Sequence, residues 1–417
     1  MFMKTREEIT KEVLNILEKN CYVGTTVLST GTGKSKIAVD AIKQGKFKNI
    51  LITSPRTTLK SNWEKELEKW DLKPTGTTTN PIQIIIENIQ TAYKWDKDTV
   101  KSFDLIIFDE IHTMTTPKYG ELIQLASELS IPRLGLTATP DISDKEEKLL
   151  FYQEYCPIVY LYSDSEKDGI TNKKRVYVLR YNLTNDHTVE VKTKTKSWRQ
   201  GELAYYTYLE SVIEEQKALI QRKFPLWDVL GVKAVYALKG PNTPPELKQI
   251  LGKYWWAITT RKKLLWNLES SKRIALKLKE KILNSRKKRT WDNNKVLIFS
   301  ELTDKCQDLS KYAIHSKQDK KHNQSMIDLF NSGKIRELAS CQSLTLGMNL
   351  IGANFAIFES FNSSETNNTQ KQGRLNRLPI TDTAILIYIV PVGTQSEVWF
   401  SKATENQEIS ELNANSI

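Results

Sequence analysis

Short apolar runs alternate with amphipathic stretches through the first 165 residues, and this restricts the fold more than any other feature of the chain. TTVLST, KNILITS, PIQIIIEN, FDLIIFDE and RLGLTAT are strand-length and rich in Ile, Leu and Val. Between them, KSKIAVDAIKQ and SNWEKELEKW carry apolar residues at helical spacing. Strands separated by helices pair parallel, with the helices covering the sheet faces. A second series closes the chain: NKVLIFSE, IRELASC, FAIFESF and AILIYIVPV, with RVYVLRYNL (175–183) as an early strand of the same unit. The expectation is an α/β chain of two parallel-sheet lobes, residues 1–165 and 166–417.

The second lobe is interrupted. Before Val296 the pattern becomes long, helical and Lys-rich, an insertion at about 192–291. Leu264, Leu268, Ser271, Ala275, Leu278 and Ile282 recur at three and four, as on one helix face. Only GPNTPPE (240–246) clearly breaks the run. Residues 192–291 hold 23 Lys and Arg against 8 Asp and Glu, which leaves the rest of a +12 chain at −3. So concentrated a charge repels itself without an anionic partner, so the segment is expected to contact nucleic acid. Its six tryptophans, taken singly, are expected in the core of a helical subdomain, since large aromatics are highly buried on average.

Other classes are set aside by what is missing. The four cysteines are far apart and the four histidines offer no zinc-site spacing. No apolar run reaches a membrane span, and the N-terminal sequence lacks a signal-peptide core, so a cytoplasmic protein is expected.

Two motifs carry chemistry. STGTGKS (29–35) follows a strand and opens a helix. Gly31 and Gly33 let the backbone amides of Thr30, Thr32 and their neighbours curl around a phosphate chain, with the helix N-terminus behind them. Lys34 would reach the outer phosphates, and the Ser35 hydroxyl would ligand Mg²⁺. Leu28 stands where the strict form of this loop has its first glycine. FDLIIFDEIH (103–112) is an apolar strand ending in two carboxylates. Asp109 would hold Mg²⁺ through its water shell and Glu110 would polarise an attacking water. ATP and Mg²⁺ are the expected cofactors.

Together these motifs resemble superfamily 2 helicases, whose phosphate loop often takes the T-G-x-G-K-[ST] form and whose second motif is often spelled D-E-x-H. The resemblance implies two RecA-like lobes and extends over nearly the whole chain outside the basic segment. LTATP (136–140) is similar to motif III, where Thr137 and Thr139, with His112, would couple ATP to nucleic acid. TSPRTTLKSNW (53–63) and NIQTAYK (88–94) resemble motif Ia and its successor, which implies that Arg56, Asn88, Gln90 and Thr91 contact one strand's phosphates. KVLIFSE (295–301) resembles motif IV. TLGMNL (345–350) resembles motif V, with Gly347 and Asn349 near the ribose and the metal. QKQGRLNR (370–377) resembles motif VI: Gln370 would lie at the nucleotide, and Arg374 and Arg377 would neutralise the γ-phosphate. The family's adenine-reading glutamine has no match before Ser29.

The layout is similar to phage branch-migration helicases and chromatin-remodelling-type translocases, which would suit a virus- or phage-encoded protein working in a host cytoplasm. The expected function is therefore an ATP-dependent DNA helicase or translocase, with DNA favoured over RNA as partner. An RNA helicase is the runner-up, and a nucleic-acid-binding ATPase switch without strand separation is the alternative from another class. Within the basic segment, Arg286, Lys287, Lys288 and Arg289 are the expected phosphate contacts.

Overall fold

The computed structural model describes residues 4–55, 58–72, 82–142, 146–192, 196–231, 233–285, 294–341, 350–362, 371–373, 375, 378–405 and 407–413. Six strands form the first sheet: β1 (Val23–Leu28), β2 (Asn49–Ser54), β3 (Gln83–Asn88), β4 (Leu105–Asp109), β5 (Arg133–Thr137) and β6 (Ile158–Tyr162). Their order is β3-β2-β4-β5-β1-β6, every pair parallel. Because side chains alternate across a strand, each strand feeds two cores. Ile50, Ile52, Leu105 and Ile107 join the core on one face, while Leu51, Ile106 and Phe108 join the other. With both faces covered, β4 reads as a near-continuous apolar run and β2 carries Ile50, Leu51 and Ile52 in succession, while β1 buries Thr25 and Thr26 inside the sheet.

The second sheet is built in the same way. It contains β7 (Lys173–Tyr181), β10 (Val296–Ser300), β11 (Ala313–Ile314), β12 (Glu337–Cys341), β13 (Phe355–Phe358), β14 (Thr383–Pro391) and β15 (Ile409–Leu412). The order is β11-β12-β10-β13-β14-β7-β15, all parallel. Leu297 and Phe299 face one core, Val296 and Ile298 the other. These are the two parallel-sheet α/β lobes expected from the sequence. No helix among the described residues is long and apolar enough to cross a membrane.

Between β7 and β10 lies a subdomain with its own core, built around Leu209, Ile213, Leu247, Leu251 and Leu264. It departs from the expected helical run in three ways. It opens with an antiparallel hairpin, β8 (Thr188–Lys192) and β9 (Ser197–Gly201), in which Val191 faces Trp198. Its helices Glu202–Lys223 and Lys233–Lys239 are separated by residues 224–232, a second break beyond the one at 240–246. Finally, the apolar face from Leu264 to Ile282 belongs to two helices, Pro245–Trp266 and Glu269–Asn284, not one. All six of those residues are buried, so the period is right while the continuity is wrong. The cause is a distant cap. The buried Glu202 carboxylate accepts from the amides of Glu269 and Ser270 at 2.5 and 3.2 Å and from the Ser270 hydroxyl at 2.5 Å. That satisfies a new helix N-terminus and suits its dipole.

The tryptophans also differ from expectation. Trp198, Trp227 and Trp256 are exposed and Trp255 and Trp266 half-buried; Trp291 lies outside the described residues.

Candidate active site

Strand order assembles the site. With β5 between β4 and β1, the strand ends that carry the three first-lobe motifs lie side by side at the carboxyl edge. Val27 pairs with Thr137, and Asp109 with Leu136. This edge is where parallel α/β sheets place ligands.

The loop after β1 takes the form its glycines permit. Gly31 and Gly33 have φ of 91° and 103°, a region that side chains disfavour, and Gly33 caps the helix Lys34–Gly45. The Thr32 hydroxyl donates to the Ser29 carbonyl at 2.7 Å and tightens the turn. Lys34 Nζ reaches back to the Leu28 carbonyl at 3.1 Å, so its ammonium lies at the loop's mouth. Ser35 follows in the first turn of the same helix.

Asp109 ends β4, with Oδ2 accepting from Trp63 Nε1 at 2.9 Å. Burial, and then the neighbouring Glu110 carboxylate, push its pKa up to about 7; the Trp63 hydrogen bond and the Lys34 charge oppose this. A half-buried carboxylate beside a second carboxylate is a site with negative charge to spare, which suits a divalent cation. Glu110 has a left-handed backbone, φ 54°, that turns the chain sharply after the strand. Its Oε2 lies 3.5 Å from His112 Nδ1, which lies 2.8 Å from the Thr137 hydroxyl. That hydroxyl donates to the Thr139 carbonyl at 2.7 Å and accepts from the Thr139 amide at 3.1 Å. A hydroxyl has one proton to give, so the histidine must donate through Nδ1. A hydrogen-bonded chain thus runs from His112 to the loop after β5, with Glu110 Oε2 in polar contact with its first member.

The second lobe meets this site through the buried segment Lys371–Gly373. Lys371 Nζ pairs with Glu301 Oε1 at 2.6 Å, and Asn362 holds the other carboxylate oxygen at 3.1 Å. Gln372 donates to the Tyr388 hydroxyl at 3.1 Å. Gly373 packs on the phosphate loop itself: a Cβ there would lie 2.6 Å from Thr30 Cγ2 and 2.7 Å from Thr30 Cβ. The lobes are in contact where the nucleotide motifs converge.

On the neighbouring surface, the Asn88 side chain caps the short helix Ile89–Ala92 by accepting from Gln90 N at 3.2 Å. Gln90 and Thr91 are exposed, and Gln90 Nε2 donates to the Pro55 carbonyl at 3.0 Å, tying two expected nucleic-acid motifs together. Arg56, Arg286, Lys287, Lys288, Arg289, Gly347, Asn349, Gln370, Arg374 and Arg377 lie outside the described residues. Sequence reasoning missed the Trp63–Asp109 contact and the Lys371–Glu301 pair. Trp63 was read only as part of a nucleic-acid motif, and an ion pair between residues 70 apart leaves no local signal.

Two family models match the chain, one in each lobe. Residues 2–142 match "Type III restriction enzyme, res subunit", and residues 277–379 match "Helicase conserved C-terminal domain". The chain is a superfamily 2 helicase or translocase, an ATPase dependent on nucleic acid. It is 26% identical over 381 residues to the "DNA 3'-5' translocase XPB2" of Sulfurisphaera tokodaii, covering 89% of this chain and 78% of that protein. "Putative helicase 109L" of Invertebrate iridescent virus 3 is 27% identical over 180 residues, 40% of this chain and 52% of that protein. Two solved structures share the fold. The Pyrococcus furiosus Hef helicase domain has a TM-score of 0.53 at 14% identity, covering 93% of this chain and 97% of that one. S. cerevisiae Dbp5 bound to RNA and ADP BeF3 has 0.56 at 11%, covering 97% and 89%.

Proposed function

We propose that the chain is a DNA helicase or translocase that hydrolyses ATP with Mg²⁺ between its lobes and moves along, or remodels, duplex or branched DNA. The observation that carries this reading is the packing of Gly373 against Thr30, which brings the segment before Arg374 and Arg377 onto the phosphate loop. Residues 1–165 and 166–417 are taken as the lobes, with the basic subdomain inserted at about 192–291. In support, β6 ends at Tyr162 in the first sheet and β7 begins at Lys173 in the second.

Amides of the Thr30–Ser35 loop hold the phosphate chain, and Lys34 neutralises its outer charge. Ser35 and Asp109 would hold Mg²⁺, which when bound supplies charge neutralisation to the phosphates. Trp63 fixes one Asp109 oxygen and leaves the other for that role. Glu110 orients the attacking water and takes its proton. Gly347, Asn349 and Gln370 complete the nucleotide pocket, while Arg374 and Arg377 stabilise charge developing on the γ-phosphate. The contacts from Glu110 through His112 to Thr137 and Thr139 give the catalytic Glu110 carboxylate a mechanical route to the loop after β5. Arg56, Asn88, Gln90 and Thr91 grip one strand's phosphates, and Arg286 to Arg289 add a second basic contact.

DNA is favoured as the track by the likeness to a DNA translocase over most of the chain. Dbp5, bound to RNA, shares only the fold. The test is displacement of a third strand from a triplex by the protein, with ATP and Mg²⁺. The wild type should displace it, and Glu110→Gln should bind DNA and ATP yet fail. Displacement from an RNA duplex but from no DNA substrate would overturn the choice of track.

A further inference from the structure

The inserted subdomain holds a cleft of about 940 Å³ between the β8–β9 hairpin and the helices Glu202–Lys223 and Pro245–Trp266. Trp198, Tyr208 and Trp256 line it, one from each of these elements, and remain 43%, 49% and 47% exposed. Among the described residues, none from the nucleotide motifs lines it. Rings of this size normally contribute to a core, and leaving three partly in water forgoes the stabilisation their burial would bring. The subdomain has a core of its own without them. Tyr208 is held flat by Tyr205, whose ring lies 6.4 Å away at an interplanar angle of 10°. The Trp198 indole N–H turns to Gln200 Oε1 at 3.4 Å, within its own strand.

The polar lining is equally specific. Lys263 reaches the cleft and makes no ion pair with a described residue. Thr260 and Asn267 add groups that can both donate and accept hydrogen bonds. The lining carboxylate, Glu190, accepts from the Ser197 hydroxyl at 2.7 Å. The cleft sits in the segment that carries the chain's excess of positive charge. Aromatic faces with a lysine beside them, in a basic surround, match a strand whose bases can stack while its phosphates are neutralised. A duplex hides its base faces, and an apolar peptide would gain nothing from the charge.

We propose that this cleft binds unpaired nucleobases of a single strand, stacking them on Trp198, Tyr208 and Trp256 with Lys263 on the backbone. The proposal rests on the motor reading and gives it a second grip, on the strand that remains single.

The test uses the full chain without nucleotide and measures its affinity for three probes: an oligothymidylate, an abasic oligonucleotide of equal length and a duplex. The wild type should prefer the oligothymidylate to the abasic probe, with quenching of tryptophan fluorescence. Trp198→Ala with Trp256→Ala should lose roughly tenfold or more in oligothymidylate affinity, with abasic binding unchanged. Trp198→Phe with Trp256→Phe, which keeps aromatic faces and guards against a folding artefact, should retain most of the preference. Lys263→Gln should flatten the salt dependence of single-strand binding by roughly 0.7 in log–log slope. A preference that survives the double alanine change would overturn the proposal. So would equal wild-type affinity for abasic and base-bearing strands, or quenching by an apolar peptide alone. A wild-type ATPase that no nucleic acid stimulates would sink the motor reading while leaving the base preference measurable.

Discussion

Gly373→Ala tests whether the lobes close through the contact seen at the phosphate loop. The added Cβ would lie 2.6 Å from Thr30 Cγ2 and 2.7 Å from Thr30 Cβ. Carbon atoms at rest prefer about 3.5–4.0 Å. A threonine methyl can rotate away, but its Cβ is fixed to the backbone, so the lobes must part by about 1 Å. Each lobe has separate cores on its two sheet faces, so the thermal melt should hardly move. Catalysis should suffer, because a displacement of ~1 Å in the groups facing the phosphate can cost on the order of 100-fold. Steady-state ATP turnover at saturating DNA should fall by about that factor in kcat, with a smaller change in KM. Thr30→Gly removes all the clashing atoms. Coupling between the two substitutions should therefore be positive, with Gly373→Ala costing far less in the Thr30→Gly background. Wild-type kcat in Gly373→Ala alone would mean that hydrolysis does not depend on this approach.

Three further outcomes follow from the same geometry and charge. Lys371→Met strands the Glu301 carboxylate in a site where both side chains are 1% exposed, so urea unfolding should show a loss of about 3–5 kcal/mol. Adding Glu301→Gln should recover much of that loss, and no recovery would mean the cost is packing rather than charge. Trp63→Phe keeps a buried ring but removes the donor to Asp109, a hydrogen bond worth about 1.5–3 kcal/mol. The Mg²⁺ concentration for half-maximal ATPase should rise and kcat should fall; an unchanged Mg²⁺ titration would remove Trp63 from the site. Glutamine at Arg286, Lys287, Lys288 and Arg289 should lower DNA affinity at every sequence and flatten the log–log salt slope by roughly 0.7–0.9 per lost phosphate contact. An unchanged slope would leave these residues an ordinary solvated surface.

What the sequence made legible was whatever is local. The strands of the first lobe that lead to motifs announce themselves by short apolar runs, clearest in β4, whose two faces are both covered. Glycines at 31 and 33 announce a loop that needs positive φ. What stayed hidden is held by distant partners. The helix break at 267–268 depends on Glu202, which caps a helix beginning 67 residues later. The β8–β9 hairpin is short and half-exposed, so its alternation is weak beside the long helices that follow. Trp63 reaches Asp109 across 46 residues, and Lys371 reaches Glu301 across 70. Burial averages placed the tryptophans of the basic segment in a core; Trp198 and Trp256 instead stand open on its cleft.

Whether DNA stimulates ATP hydrolysis at the lobe contact is tested most directly by one titration. ATP turnover of the wild type and of Lys34→Ala is followed as single-stranded, double-stranded and branched DNA, and RNA, are added in turn. The expected result is low turnover alone, strong stimulation by DNA exceeding that by RNA, and none with any strand in Lys34→Ala. Wild-type turnover indifferent to every nucleic acid, or undiminished turnover in Lys34→Ala, would contradict it.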